Sequence, residues 1–514
     1  MQIQTTPEGV WNEYQNAVSY NQSIGLYENV KKNENFFLGR QWEGVNAPDL
    51  DKPVLNFLRR VCSYMVSMLV TDDIGVSINP FEGTGEPIYK AVSRELERVM
   101  EKTKFKSLCR DFLRDAIVDG DGFFYTFFDA DTGEIQIERL DNTNVLFGNP
   151  FVAEIERQPY ILVAKRMLLS QAKEYAKARG AKDWQSITPD DENLYINEDE
   201  QQSEQSLVTV LMKFYRHPQT GRIHYLSCTQ SVEIDRERDT GLARYPFSCM
   251  RWEKVKNCYH GEAAITGLIP NQIFVNKLFA MSMQHVKMNA FPKVIFDRTK
   301  IRRWTNKVGE AIEVVGNPND AFAASFKVQD MSDYVMVLID KMITYTRDFM
   351  GASDAALGNV KPDNTSAIIA VQKASSAPLE LQKLSFYQAV EDAVRNIIDC
   401  MAVSYGVRPV TLETEQGNMQ VPVDFGALGL NSAELNVDIG ASAYWSELMQ
   451  VQTLDNLFTR GIITDAVTYL EGIPDAYIKN KQKIIEKLKE QQAAAQSMQM
   501  LPGMGGENRA LPQV

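Results

Sequence analysis

Between Glu262 and Asp297 the chain carries no acidic residue. Within that window, Ile265 to Ala290 reads as one long, nearly uncharged helix, with Pro270 where a first helical turn tolerates proline. Its apolar residues include Ile273, Phe274, Val275, Leu278, Phe279, Met281, Met283, Val286 and Met288. They fall on several faces, and a helix that is apolar on several faces must be buried on several sides. Asn271, Gln272, Asn276 and Lys277 interrupt the run, so it does not read as a membrane span. No stretch of the sequence reaches the run of about 18 apolar residues that a span needs. The helix therefore requires neighbours on both flanks. A ring of identical copies supplies them; the interior of a large monomer is the plainer alternative.

The remaining elements follow from period and punctuation. Glu8 to Leu38 reads as a helical segment with aromatic anchors, Val54 to Thr71 as a helix opened by Pro53, and Ile88 to Asp119 as another. The period then changes to two. Gly122–Phe128 and Glu134–Leu140 predict a hairpin closed by Asp129-Ala130-Asp131-Thr132-Gly133. A strand at Tyr160–Val163, a helix at Leu168–Arg179, and a second hairpin from Leu207–Leu211 and Ile223–Leu226 follow. After Phe291-Pro292 the spacing predicts a compact insert, with strands at Lys293–Phe296 and Glu310–Val315. Ser332–Met350 is a second helix with Val335, Leu338, Ile339, Met342, Thr346 and Phe349 as its apolar stripe. Ser366–Tyr405 is a third, in which Pro378 predicts a kink because proline deletes a backbone hydrogen bond. Strands return at Val410–Glu413, Met419–Val423 and Leu435–Ile439 before terminal helices and a Met/Gly/Pro tail. The fold class is α+β and helix-rich.

Composition narrows function. The 514 residues are 44% hydrophobic and 24% charged, enough for a sizeable core and against global disorder. The net charge of −13 argues against a protein that wraps DNA by neutralising phosphates, although an acidic chain can still guide DNA; solubility alone also accounts for the charge. Six scattered cysteines without a C-x-x-C pair argue for reduced thiols rather than a disulfide framework or a zinc site. The polar stretch Met1–Asn16 does not read as a signal peptide, so a cytoplasmic setting is expected. The acidic segment Pro189–Gln205 lacks the D-x-[DN]-x-[DN]-G spacing of a calcium loop and reads as surface loop.

Chemistry-bearing motifs are absent: no G-x-x-x-x-G-K-[ST], G-x-S-x-G, H-E-x-x-H or G-x-G-x-x-G occurs. The four histidines show no ligand spacing, and His285 reads as a core or interface residue. Asp119 and Asp121 sit in turn context. The chain is therefore expected to be non-enzymatic, with no cofactor and no catalytic or metal residue. The basic run Arg298, Lys300, Arg302, Arg303 and Lys307 around Trp304 reads as a protein contact or solvated face before it reads as a nucleic-acid patch.

Four groups of residues, in this order, resemble the portal proteins of tailed bacteriophages over nearly the full length. They are Phe37-Leu38-Gly39-Arg40-Gln41-Trp42; Pro53-Val54-Leu55-Asn56-Phe57-Leu58-Arg59-Arg60; Asp119-Gly120-Asp121-Gly122 leading into Asp129–Gly133; and His260-Gly261-Glu262 through Leu268-Ile269-Pro270-Asn271-Gln272 to Asn276, then Phe291-Pro292-Lys293. The resemblance implies a portal-like architecture of wing, stem, clip and crown around a central channel. Residues 1–256 and 407–440 would form the wing, 257–290 and 332–351 the stem helices, and 291–331 the clip. Residues 352–365 would form the channel loop, 366–406 the kinked channel helix, 441–496 the crown, and 497–514 a disordered tail. It further implies a twelve-fold ring at one capsid vertex of the virion, assembled in a bacterial cytoplasm without a membrane. Double-stranded DNA would be packaged and ejected through it, non-specifically held. Partners would be terminase, head-completion and tail adaptor proteins, and the major capsid and scaffold proteins.

On that reading Asn359, Lys361, Asn364, Lys373 and Lys383 are candidates to face DNA, with salt bridges between subunits as the alternative for the lysines. Arg298, Lys300, Arg302, Arg303, Trp304 and Lys307 would meet the clip's partner, and Ile273, Phe274, Leu278, Met281, Leu338 and Met342 would pack between stems. A wall with few basic residues suits a channel in which DNA must slide. The competing readings are an oligomeric viral or secretion scaffold that passes no DNA, and a nucleic-acid enzyme dependent on Asp119 or Asp121.

Overall fold

Thr6 starts the first helix: its hydroxyl accepts the Gly9 N–H at 3.3 Å, and Pro7 fills the first turn. The computed structural model describes residues 3–70, 74–80, 86–190, 206–291, 293–305, 310–320, 323–326, 331–351, 377–414, 417–427 and 433–439, with short pieces between 451 and 488. It is mixed helix and sheet. The chain divides into two units, Met1–Val70 with Ser77–Val437, and Thr71–Val76 with Asp438–Val514.

The helices α1 (Pro7–Ser23), α2 (Leu26–Leu38) and α3 (Phe57–Leu69) come first, then β1 (Ile74–Pro80), α4 (Glu86–Lys102) and α5 (Phe105–Asp119). Two continuous helices were expected over α1–α2 and α4–α5, and both are broken. Gly25 takes a left-handed φ of 69° between the first pair, and Lys104 one of 52° between the second, which turns the chain where hydrophobic period alone reads through. The expected hairpin forms as β2 (Asp121–Asp129) and β3 (Glu134–Leu140), in register from Phe123 opposite Leu140 to Asp129 opposite Glu134.

A five-stranded antiparallel sheet follows in the order β4 (Val145–Phe147), β5 (Tyr160–Leu168), β6 (Leu207–Arg216), β7 (Ile223–Cys228) and β8 (Glu233–Asp239), with α6 (Leu169–Ala178) between β5 and β6. Strand alternation divides its side chains between two cores. Tyr160, Leu162, Leu211, Tyr215 and Leu226 meet Val10, Trp11 and Tyr14 of α1 on one face. Ile161, Val163, Met212, Phe214 and Tyr225 meet Phe123 and Phe247 on the other. Lys213, on the α1 face, is fully buried; it pairs with Glu13 and donates to Gln4 O at 2.7 Å.

β9 (Phe247–Arg251) completes a three-stranded sheet ordered β3-β2-β9, and the short strands β10 (Glu253–Lys254) and β11 (Gly261–Glu262) pair with each other. Then comes α7 (Ile269–Ala290), which begins at the later of the two expected starts, with Pro270 in its first turn and a 3-10 turn at Thr266–Leu268 before it. β12 (Lys293–Phe296) pairs with β13 (Ala323–Phe326), not with Glu310–Val315; of the latter, Val314 alone bridges, to Ile301. The strand expected at Glu310–Val315 does not form, because local alternation without a neighbour to pair with does not make a strand.

The helices α8 (Tyr334–Phe349) and α9 (Glu380–Ser404) and the strands β14 (Val407–Thr414), β15 (Gly417–Asp424) and β16 (Ala433–Ile439) complete this run. α5 and α9 pack against the Phe124 face of β2, where Phe112 stacks on Phe124 at 4.2 Å and lies 6.4 Å from Phe386. In the second unit α10 (Ala466–Glu471) is capped by Asp465, whose carboxylate accepts from Val467 and Thr468, each at 3.2 Å.

Candidate subunit interface and its buried junction

α7 and α8 form an antiparallel hairpin: near its base, Asn271 Nδ2 at the start of α7 donates to Thr346 Oγ1 near the end of α8 at 3.1 Å. At 1.5 Å per residue the 22 residues of α7 reach about 33 Å. Its buried side chains are Ile269, Gln272, Val275, Asn276, Ala280 and Ser282, so burial is concentrated in its first half. Beyond them Met281 is 61% exposed, and Met283, Val286, Met288 and Phe291 are exposed as well. On α8, Tyr334, Met336, Val337 and Tyr345 are exposed too.

The expected packing residues split accordingly. Phe274 and Met281 are exposed, while Ile273, Leu278, Leu338 and Met342 are half-buried within the chain itself. Of the expected α8 stripe, Ile339 and Thr346 are buried, whereas Phe349 is 82% exposed. His285 is half-buried and its Nε2 lies 3.1 Å from Asn289 Nδ2. Single chains leaving this much apolar surface on two adjacent helices use it to bind something.

The base of α7 is held by amides. Gln272 Nε2 donates to Leu55 O at 2.8 Å and to Asn276 Oδ1 at 2.9 Å. Asn276 Nδ2 donates to Gln41 Oε1 at 2.5 Å, and Gln41 Nε2 to Phe36 O at 3.1 Å. Trp42 Nε1 donates to Pro53 O and Asn56 Nδ2 to Phe37 O, while Asn56 Oδ1 caps α3 by accepting from Arg59 N. Lys287 ion-pairs with Asp51 at 2.6 Å. Buried amides must be partnered, since each orphaned one costs about 1–3 kcal/mol, so this network ties the 36–58 segment to one side of α7. The sequence showed Gln272 and Asn276 only as interruptions of an apolar run; their four-residue spacing, one helical turn, was the available signal.

A second clamp lies just before α7. His260 Nδ1 is 2.7 Å from Asp121 Oδ2, and Asp121 Oδ1 accepts from Gly261 N at 2.7 Å; both side chains are buried. Gly120 and Gly261 touch backbone to backbone: a Cβ on Gly120 would stand 2.5 Å from Gly261 O. Asn142 Nδ2 donates to Asp119 O at 2.9 Å, and Asn33 Nδ2 donates to Val118 O at 2.8 Å and Thr266 Oγ1 at 2.9 Å. Charge gathers beside this corner. Arg139 and Arg114 face Asp115, and Arg114 also pairs with Glu34. Burial raises the Asp115 carboxyl to about 6 against the pull of Arg139 and Arg114. Burial raises Asp119 well above its ordinary value too, with Glu34 and Asp115 adding repulsion. The paired carboxylates read in turn context are thus parts of a buried joint.

Elsewhere the expected site residues are dispersed. Arg298, Arg302 and Arg303 are exposed, Lys300 Nζ donates to Asp320 O at 2.7 Å, and Trp304 stacks on Phe296 at 5.9 Å; Lys307 lies outside the described residues. Lys383 sits over the Tyr387 ring at 5.4 Å. Pro378 occupies a 3-10 turn, Ala377–Leu379, that leads directly into α9; it is not interior to the described helix, and the stretch before it lies outside the described residues. So do Asn359, Lys361, Asn364 and Lys373, the acidic segment from 191 to 205, most of 441–496 and all of 497–514. All six cysteines are free thiols. Among the described residues no group of three or more His, Cys, Asp or Glu is placed to hold a metal, and no helix is long and apolar enough to cross a membrane.

No known family model matches this sequence, and no curated protein matches it.

Proposed function

We propose that the chain is the portal subunit of a tailed bacteriophage, a non-enzymatic protein that closes into a ring at one capsid vertex and passes double-stranded DNA during packaging and ejection. The observation that carries this reading is the α7–α8 hairpin, whose outer part is apolar on faces that one chain leaves uncovered. Copies before and after it in a ring bury those faces, and a heterologous contact that closes by rotation needs no other partner. Support also comes from where the resembling segments meet. Residues 260–276 bond both to the 36–58 segment, through Gln272 and Asn276, and to the 119–122 corner, through His260 and Gly261. On this reading the joint holds the stem at a set angle to the sheets, and the 291–331 insert at its tip meets terminase and later the head-completion proteins.

Mass photometry of the purified chain followed by negative-stain imaging tests the proposal. Twelve copies of 58.2 kDa make roughly 700 kDa, and a ring with an open centre near that mass is expected. A closed dimer or tetramer in which the α7–α8 faces remain accessible would overturn it.

A further inference from the structure

The loop around 153–157, the end of β9 and the flank of α9 enclose a cleft of about 530 Å³. Most of its charges are already matched. Arg244 Nη2 is 2.9 Å from Asp392 Oδ1, and Glu156 accepts from Arg216 at 2.6 Å and from Tyr245 N at 3.2 Å. Arg244 Nε, 3.7 Å from Glu156 Oε1, forms no hydrogen bond among the described residues, and Arg251 is matched less well still. Its Nη2 donates to Ala153 O at 2.6 Å and to Cys249 Sγ at 3.3 Å, and its Nε is buried with no hydrogen-bond partner among the described residues. Asp121 is its cross-strand neighbour, but both oxygens of that carboxylate are taken, by His260 and Gly261 N. On the rim Lys254 and Arg157 are exposed and form no ion pair among the described residues; Glu154, also exposed, acts on Arg251 from beyond ion-pair distance, as Asp121 does.

A guanidinium withdrawn from water with an N–H unused is a costly arrangement unless an acceptor arrives. Ser385 and Gln388 on the α9 side of the cleft offer neutral donors. We propose that this cleft is an oxyanion site, taking a phosphate or a carboxylate on Arg251 with Lys254 and Arg157 closing over it. The anion has two sources. One is free phosphate, which owes nothing to the portal reading. The other is an Asp or Glu of a second copy of this acidic chain, which rests on it.

The test titrates inorganic phosphate into the full chain by calorimetry, for the unaltered protein and for Lys254→Gln, with mass photometry of both across protein concentration. If the anion is free phosphate, single chains and assemblies both bind it saturably, and Lys254→Gln weakens binding by about tenfold. If a neighbouring copy supplies it, single chains bind phosphate, assemblies do not, and Lys254→Gln raises the concentration needed for assembly by about tenfold. Absence of saturable phosphate binding to single chains, with assembly unmoved by Lys254→Gln, overturns the site. Lys254 carries the test because it is exposed, so its loss does not threaten folding as Arg251→Gln does. A chain that never assembles defeats the ring and leaves the phosphate titration to decide the cleft.

Discussion

His260 Nδ1 and Asp121 Oδ2 stand 2.7 Å apart across 139 residues of sequence, both side chains buried, at the point where the β2 corner meets the lead-in to α7. Breaking one partner of such a pair is costlier than removing both, because a lone buried charge or ring nitrogen is left behind. Asp121→Asn alone is expected to cost about 3 kcal/mol, and the cycle with His260→Ala to show a coupling of about 1–3 kcal/mol. Chemical denaturation of the four proteins measures both. Additive single effects would remove the pair's role as the joint.

Gly120 has a φ of 100° and no room for a methyl group against Gly261 O. Gly120→Ala is expected to cost about 2–5 kcal/mol through backbone strain and the clash together. A melting temperature within a degree or two of the parent would mean that the corner yields.

Acid should stabilise this corner. Asp115, raised to about 6, and Asp119, held well above the ordinary 3.8 by burial, keep protons in the folded state that the unfolded chain has released. The folded state therefore binds more protons between about pH 4 and 6, and stability falls as pH rises through that window. Denaturant midpoints at pH 5 and pH 7 check the sign: the pH 5 value is expected to be higher, and Asp115→Asn should shrink the difference. A midpoint that rises with pH in the parent and in Asp115→Asn alike would contradict it.

Met281→Glu separates folding from assembly. Met281 is 61% exposed in the single chain, so its replacement should change monomer stability by no more than about 0.5 kcal/mol. In a ring the same carboxylate is buried between stems. Mass photometry is expected to show single chains where the parent forms rings; rings of unchanged mass and stability would place the interface elsewhere.

Lys361 is a DNA-facing candidate on sequence grounds. Lys361→Glu is expected to impair DNA packaging or retention without preventing ring assembly, since it inserts repulsion toward phosphate. Packaging at the parent level in a phage carrying the variant would remove the residue from the channel's working surface.

Local order was legible in the residues and long-range order was not. The hairpin of β2 and β3, the strand pair of β6 and β7, and helices over α3, α7 and α8 follow from period and turn chemistry, which act within a few residues. Gly25 and Lys104 escaped because a left-handed residue breaks a helix without breaking its hydrophobic period. The partner of β12 escaped because pairing is chosen by what can be brought alongside, not by which segment alternates best. The acid-free window announced a helix needing neighbours, and single-chain packing covers its first half.

The sequence by itself determined the α+β class, the acid-free helix and the order of segments that resemble a portal. Tertiary structure decided how those segments are held: Gln41, Leu55, Gln272 and Asn276 form one buried clamp at the base of α7, and Gly120, Asp121, His260 and Gly261 a second just before it. Amides and carboxylates carry no sign of their partners in the chain order. Their cost when buried unpaired makes the partner unavoidable once packing has excluded water.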